Sequence, residues 1–339
     1  MASFLGQRFL RFVAVLLTIT AVTFLFFHLI PGNPVEILLG EHATHADVVR
    51  LTRELKLDQP WYVQYVAYLS QMLQGDLGRS LTDNLPVAGK LGTYFPATIE
   101  LGVAAMLVAV IVGVPAGILA ALRHRRPLDT VTSVGALLGV SVPVFWLGWM
   151  LLWLLAYEPS KVGLNLFPLA GRISIRYDIP AQTHFMTIDA LLAGNWNAFV
   201  DALWHLVLPA ITLGTIPMAI IAKMTRAEML EVLHTDYIRT ARAKGLGSMS
   251  IVVKHGLRNA LIPIITVIGL QTGFLLGGAV LTESIFAWPG VGRLAFEAIS
   301  NRDYPLIIGC VLLFSATFVL VNFLVDVLYA LVNPRIRYA

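Results

Sequence analysis

The chain has 339 residues, of which 57% are apolar and only 13% charged, about half the charged share of an ordinary soluble domain. Mean hydropathy is +0.76, and 24 basic plus 20 acidic side chains are too few to coat a water-soluble surface of this size. These values exclude a soluble enzyme, a disordered chain and a disulfide-built secreted domain; they point to a membrane protein. The net charge of +4 carries no clustered basic footprint for nucleic acid. The single cysteine, Cys310, lies in an apolar run and has no second cysteine to pair with.

Crossing roughly 30 Å of hydrocarbon takes about 20 mostly apolar residues. Six stretches qualify in chain order: Phe12–Pro31, Leu101–Leu122, Val134–Tyr157, Leu203–Ala222, Leu261–Thr282 and Leu306–Leu331. Each is a continuous apolar run rather than the two-residue alternation of a barrel strand. The expected fold class is an all-α polytopic membrane protein with six transmembrane helices. The first stretch opens with Arg8 and Arg11, as a signal peptide would. Its apolar run is too long for a signal core and no small-x-small cleavage site follows, so it reads as an uncleaved first helix.

Orientation follows from Lys and Arg density. With the N-terminus inside, the inner segments are 1–11, 123–130, 223–260 and 332–339. They hold fourteen of the 24 basic residues, at nearly three times the density of the outer segments. Both termini are therefore expected on the cytoplasmic side. The chain divides into residues 1–31 (N-terminus and first helix), an outer segment 32–100, and a five-helix core over 101–339. The outer segment carries an amphipathic stretch, Val48 to Leu57, then Trp61, Tyr62, Tyr65 and Tyr68. That spacing suggests short helices near the outer surface, either anchoring at headgroups or receiving a partner. The second outer segment, 158–202, is punctuated by Pro159, Gly163, Pro168, Gly171 and Pro180 and is expected to be mostly irregular.

One inner connection is long, about residues 223–260. Met224 to Leu233 continues the fourth span into water, with Glu228 and Glu231 exposed. Thr235 or Asp236 can cap a new helix, Tyr237 to Lys244 forms it, and Gly245 and Gly247 can end it. Ser248 or Ser250 then starts the helix leading back into the membrane. A short helix with Thr240, Ala241 and Ala243 among Arg239, Arg242 and Lys244 suits docking into a groove. A solvated basic loop that obeys the positive-inside rule fits equally well.

This stretch resembles the EAA loop of bacterial ABC importer permeases: Glu-Ala-Ala, three residues, Gly, nine residues, Ile-x-Leu-Pro. Arg239-Thr240-Ala241 stands at Glu-Ala-Ala, Gly245 at the glycine and Leu257 at the leucine; Arg239, Thr240, His255 and Arg258 depart from the general pattern. The departures resemble the peptide and nickel branch, over Asp236 to Gly245 and Leu257 to Pro263. Further branch-like stretches are Ile30 to Pro34, Gly75 to Ser80, Pro96 to Leu101, Val142 to Trp146, Leu281 to Phe286, Trp288 to Arg293 and Asn333 to Arg337. The chain is similar to the first permease subunit of dipeptide importers. The resemblance implies the type I importer permease fold, a second homologous permease subunit, two cytoplasmic ATPase subunits and an external substrate-binding protein. It also implies that Asp236, Tyr237, Ile238, Arg239, Thr240, Ala241, Arg242, Ala243, Lys244, Gly245 and Leu246 form the helix seated in an ATPase cleft.

Independently of the resemblance, no Gly-x-x-x-x-Gly-Lys-Ser/Thr phosphate loop occurs in the chain. ATP and Mg are therefore expected on partner subunits, with no cofactor or metal on this chain and no catalytic residue of its own. A path for a small zwitterionic peptide calls for small and polar side chains within spans. Candidates are Ser141, Phe145, Thr212, Gln271, Thr272, Gly277, Thr282 and Glu283. Bland alternatives stand beside them. Gly277 and Gly278 suit close helix packing; Thr212 and Thr215 suit bonds to their own helix near Pro209 and Pro217; His205 suits an interface position. Glu100 and Glu283 suit pairing with arginines such as Arg293, and Asp326 suits pairing with Arg335 or Arg337. An ion-coupled secondary transporter would place ionisable groups near the midplane and show repeated halves, and neither is evident. Nickel chelates, glutathione and haem are alternative cargoes within the same importer class.

Overall fold

The computed structural model describes residues 2–29, 52, 58–276 and 279–332. Most of the 48–57 stretch, Gly277, Gly278 and the 333–339 terminus lie outside the described residues, as does the side chain of Asp326. The described secondary structure is helical, with one isolated bridge between Arg79 and Pro86. That outcome follows from the solvent. In hydrocarbon every backbone N–H and C=O must be satisfied within its own segment, which a helix does.

Helix α1 spans Ala2–Leu29, and α2 spans Trp61–Leu73. Thr20 and the Tyr65 hydroxyl meet at 2.9 Å and join the two. Helix α3 (Val87–Leu122) has 36 residues, about 54 Å at 1.5 Å per residue. It starts well before the apolar stretch legible in the sequence, because its polar first turns continue the same helix outside the hydrocarbon. Helix α7 (Trp196–Leu233) does the same at both ends, with 38 residues and Pro209 and Pro217 inside it. Helix α6 is the short Met186–Leu192; residues 162–185 of the second outer segment are irregular, as expected, while its two ends belong to the flanking helices.

Two expected spans are not single helices. The third divides into α4 (Pro127–Ser141) and α5, which runs as Val144–Leu151, a π-wound Leu152–Tyr157 and a last turn Glu158–Lys161. The two halves are bent by 102°. Val142 is extended, with φ −78 and ψ 126, the conformation that the Pro143 ring favours in the residue before it. The fifth span enters through a π-wound Ser250–Leu257, continues as α9 (Arg258–Leu276) and stops short of Thr282. Thr282 and Glu283 belong to a separate short helix, α10 (Val280–Ile285). Helices α11 (Val291–Ser300) and α12 (Tyr304–Val332) complete the chain. The described residues thus contain five helices long and apolar enough to cross a membrane, or six with the bent pair taken as one span.

The core is the α3–α7 pair, the most extensive helix contact among the described residues. It works because glycines let the two backbones touch. A Cβ on Gly113 would stand 2.7 Å from the Met218 carbonyl oxygen, one on Gly117 2.5 Å from that of Ala222, and one on Gly214 2.6 Å from that of Ala105. Between membrane helices, where lipid tails are as apolar as leucine, such close approach replaces the hydrophobic effect as the source of affinity. Gly214→Ala should therefore destabilise the purified protein by about 1–3 kcal/mol. Gly102→Ala, whose Cβ would meet only the movable Leu276 methyl at 2.7 Å, should cost less. Thermal melting in one detergent decides between them, and equal melting temperatures would refute the backbone-contact account.

Candidate functional site

Two polar constructions stand at opposite ends of the α3–α7 core. At one end α7 runs past Met229 to Leu233, breaks at His234 and Thr235, and resumes as α8 (Asp236–Ala243). Thr235 occupies the cap position but does not cap with its side chain. Its hydroxyl donates back to the Val232 carbonyl at 2.6 Å, leaving the first turn of α8 to Asp236. Gly245 takes φ +76 and ends the helix, as expected of glycine at that position.

Helix α8 has two unlike faces. Ile238 and Ala241, three apart and so on one side, are buried in a cluster with Ala121 of α3, Met229 and Leu233 of α7, Ile251 and Val252 of the π-wound segment, and Ala260 and Ile264 of α9. The other side presents Tyr237, Arg239, Thr240, Arg242, Ala243 and Lys244 to solvent. Arg239 reaches Asp236 only at 3.4 Å, with both side chains more than 70% exposed, so this pair adds little stability. The apolar face fixes α8 to four other segments. The basic face, with Gly245 and Leu246 beyond it, is a rigid, positively charged ridge.

At the other end, residues Ala97 to Glu100 of α3 gather four segments. Glu283 of α10 is fully buried. It accepts from the Thr98 hydroxyl at 2.8 Å and from the backbone N–H of Arg293 at 2.9 Å. The Arg293 guanidinium turns away to Glu297 at 2.8 Å, so the expected Glu283–Arg293 side-chain pairing is replaced by a backbone one. Burial pushes the Glu283 carboxyl up from the ordinary glutamate range, and these donors act against that push. Thr98 in turn accepts from the Val291 N–H at 2.8 Å, and Trp288 donates its indole N–H to the Ala97 carbonyl at 2.8 Å. Gly290 and Gly292 are required here, because a Cβ on Gly290 would fall on the Glu283 carboxylate and one on Gly292 would stand 2.9 Å from the Val280 nitrogen.

The second outer segment closes over this node. Arg172 gives Glu100 a hydrogen bond of 2.6 Å and the His184 carbonyl one of 2.9 Å, and its guanidinium lies 5.6 Å from the Trp288 ring centre. Glu100 also accepts from the Thr187 N–H and hydroxyl, at 2.9 and 2.6 Å. Farther along, Asp201 holds the Ser174 N–H and hydroxyl, each at 2.7 Å. Sequence reasoning placed Glu100 near an arginine but could not find Arg172, which is distant in the chain and sits in a segment without periodicity.

The expected path residues fall into three groups. Ser141 and Phe145 are exposed on either side of the α4–α5 bend, and Gln271 and Thr272 are half-buried on α9. Thr212, Thr282 and Glu283 are sealed inside the chain, at 0%, 1% and 0% exposure, so none of the three faces an open passage in this structure. Thr212 and Thr215 bond their own helix at the Leu208 and Ile211 carbonyls, 2.8 and 2.7 Å away. Gly277 lies outside the described residues. His205 is buried, with its Nδ1 2.8 Å from the Asp201 carbonyl. Among the described residues no three His, Cys, Asp or Glu are grouped to hold a metal ion.

Removing Glu283 would leave buried donors unpaired, at about 1–3 kcal/mol for each. Glu283→Ala should thus lower the melting temperature more than Glu283→Gln, which keeps an acceptor in place. The reverse order would refute the node.

Residues 113–338 match the family described as "Binding-protein-dependent transport system inner membrane component", and residues 1–102 match "Binding-prot-dependent transport system membrane comp, N-term". The dipeptide transport system permease protein DppB of Alkalihalophilus pseudofirmus is 47% identical over 338 residues, covering 100% of both chains. DppB of Escherichia coli strain K12 is 48% identical over 343 residues, covering 100% of this chain and 99% of that one. The glutathione transport system permease protein GsiC of Escherichia coli O6:H1 is 40% identical over 339 residues, covering 100% of both. Among solved structures, an inward-facing MetNI methionine ABC transporter aligns with a TM-score of 0.49 at 17% identity, over 72% of this chain and 97% of that one. This chain is a member of the family of inner-membrane components of binding-protein-dependent transport systems.

Proposed function

We propose that this chain is the permease subunit of an ATP-driven importer that carries dipeptides across a bacterial inner membrane by alternating access. Full-length identity of 47–48% with dipeptide permeases carries the cargo assignment. The related glutathione permease, 40% identical over the same length, favours glutathione as the second reading. Six spans, with α4 and α5 as one broken span, and cytoplasmic termini agree with the density of basic residues on the inner segments.

The partners in this reading are a second, homologous permease, two ATPase subunits below and a binding protein outside. ATP and Mg belong to the ATPases; this chain binds no cofactor. Its contribution is mechanical. The exposed face of α8 docks in an ATPase cleft, while its buried face, through Ile238 and Ala241, ties it to α3, α7 and α9. Movement of an ATPase is then passed to the spans as a body movement of packed helices. Selection of cargo rests mainly with the binding protein, and the path residues need only avoid trapping the peptide.

Two experiments test this. A strain lacking the chain should lose uptake of labelled dipeptide and regain it from a plasmid copy; loss confined to labelled nickel or glutathione would overturn the cargo. Arg239→Glu reverses the charge of the ridge, and Gly245→Pro forbids its φ of +76. Each should leave the protein in the membrane at normal level and reduce uptake at least about tenfold. Normal uptake by both would sink the docking assignment.

A further inference from the structure

Two turns above the α7–α8 break, α7 carries a second polar contact that the docking ridge does not use. Asp129, in the first turn of α4, is 5% exposed. Its two carboxylate oxygens accept from Arg226 Nε at 2.5 Å and Arg226 Nη2 at 2.9 Å. This is the bidentate fork geometry that fixes both distance and plane. The Arg125 N–H adds a bond of 2.9 Å to the same carboxylate, and His124 Nδ1 stands 3.2 Å away. Arg125 takes φ +60 to bring these groups round. The 123–129 turn therefore converges on one α7 side chain.

The rest of the α4–α7 contact is of another kind. A Cβ on Gly139 would stand 3.3 Å from the Thr215 methyl and 3.4 Å from that of Ala219, so the two helices pack closely there, and Ala136, one turn away, is buried. This contact is close but apolar, and it holds no directional bond to fix its register. Among the described residues no other side-chain hydrogen bond or ion pair joins α4 itself to α7, and in the turn before α4 His124 Nδ1 lies 3.3 Å from Arg226 Nη2. Below Arg226, Met229 and Leu233 are packed with Ile238 and Ala241 of α8, so the base of α7 and α8 form one body. Beyond Ser141, α4 ends in the 102° bend to α5.

We infer that Asp129 and Arg226 are positioning residues for energy coupling: their ion pair makes α4 follow α7 and α8, and so delivers displacement of the docking helix to the α4–α5 bend. The inference rests on the reading of α8 as an ATPase-docking helix. Without the pair, α7 and α8 can still move and the ATPases can still turn over. The close apolar contact that remains has no directional bond to fix its register, and α4 lags.

The test uses the assembled importer in liposomes, with ATP hydrolysis and labelled dipeptide uptake read from the same sample. Asp129→Asn should retain binding-protein-stimulated hydrolysis while uptake per ATP falls at least about fivefold, the lower end of ordinary coupling energies. Arg226→Lys keeps the charge but loses the fork, and should fall between. A merely structural role would lower both activities together. An unchanged uptake-to-hydrolysis ratio in assembled Asp129→Asn overturns the inference. Should Asp129→Asn fail to assemble, spin labels at Val131→Cys and Ala227→Cys, both exposed positions, decide with the native pair intact. Their separation should stay constant between the resting and vanadate-trapped states, and a change of several ångströms overturns the clamp. Failure of the unaltered complex to take up dipeptide would overturn the cargo reading instead, and the label distances would still decide whether α4 follows α7.

Discussion

The contact of the α3 and α7 backbones through Gly113, Gly117 and Gly214 is the constraint on which the rest depends. In lipid, two apolar helices gain little by meeting unless they approach closely enough for backbone atoms to touch. Both polar constructions are built on the ends of this pair. Helix α3 supplies Ala97, Thr98 and Glu100 at one end and Ala121 at the other. Helix α7 supplies Asp201 and His205 at the first end, and Arg226, Met229 and Leu233 at the second. A shift between the two helices would disturb both ends together, and this is the geometry that a device moving force from one side of a membrane to the other requires.

The sparse charges are spent on joining segments that are remote in sequence. Glu100 meets Arg172, Asp129 meets Arg226, and Glu283 meets Thr98 and the backbone of Arg293. Fully buried Asp303 accepts from the Ser80 hydroxyl at 2.5 Å and tethers the start of α12 to the stretch before α3. An unpaired charge in such surroundings is costly, so each carboxylate specifies one arrangement of its neighbours more than it adds to net stability. The exposed side of α8 is the opposite case. Its Arg239, Arg242 and Lys244 face solvent, and only their aliphatic neighbours hold the helix in place.

Much of this was legible beforehand. Apolar runs of 20 residues or more identify helices wherever lipid is the solvent, and the break at Thr235, the α8 helix and its end at Gly245 follow from local chemistry. The threonines at 212 and 215 behave as their proline neighbours suggest. The hydropathy pattern did not disclose that the third span bends by 102° or that Ala279 is non-helical and Thr282 belongs to a separate helix. Both halves of a broken helix are equally apolar, and a window average cannot see the joint. Thr282 and Glu283 suited a path lining as polar residues at a span end; their fully buried positions arise from Gly290 and Gly292, which let a later segment close on them.

By itself the sequence determined the solvent of this protein, its helical class, the orientation expected from its basic residues and the position of the short basic helix α8. These are properties of short stretches, decided by solvation of the backbone and of single side chains. Only the tertiary structure decided which carboxylate meets which arginine, which glycines are contacts rather than turns, and which polar residues are sealed away. Those are pairings between positions tens to hundreds of residues apart. Several partners suit each group chemically, and only the packing of α3 against α7 brings one of them within reach.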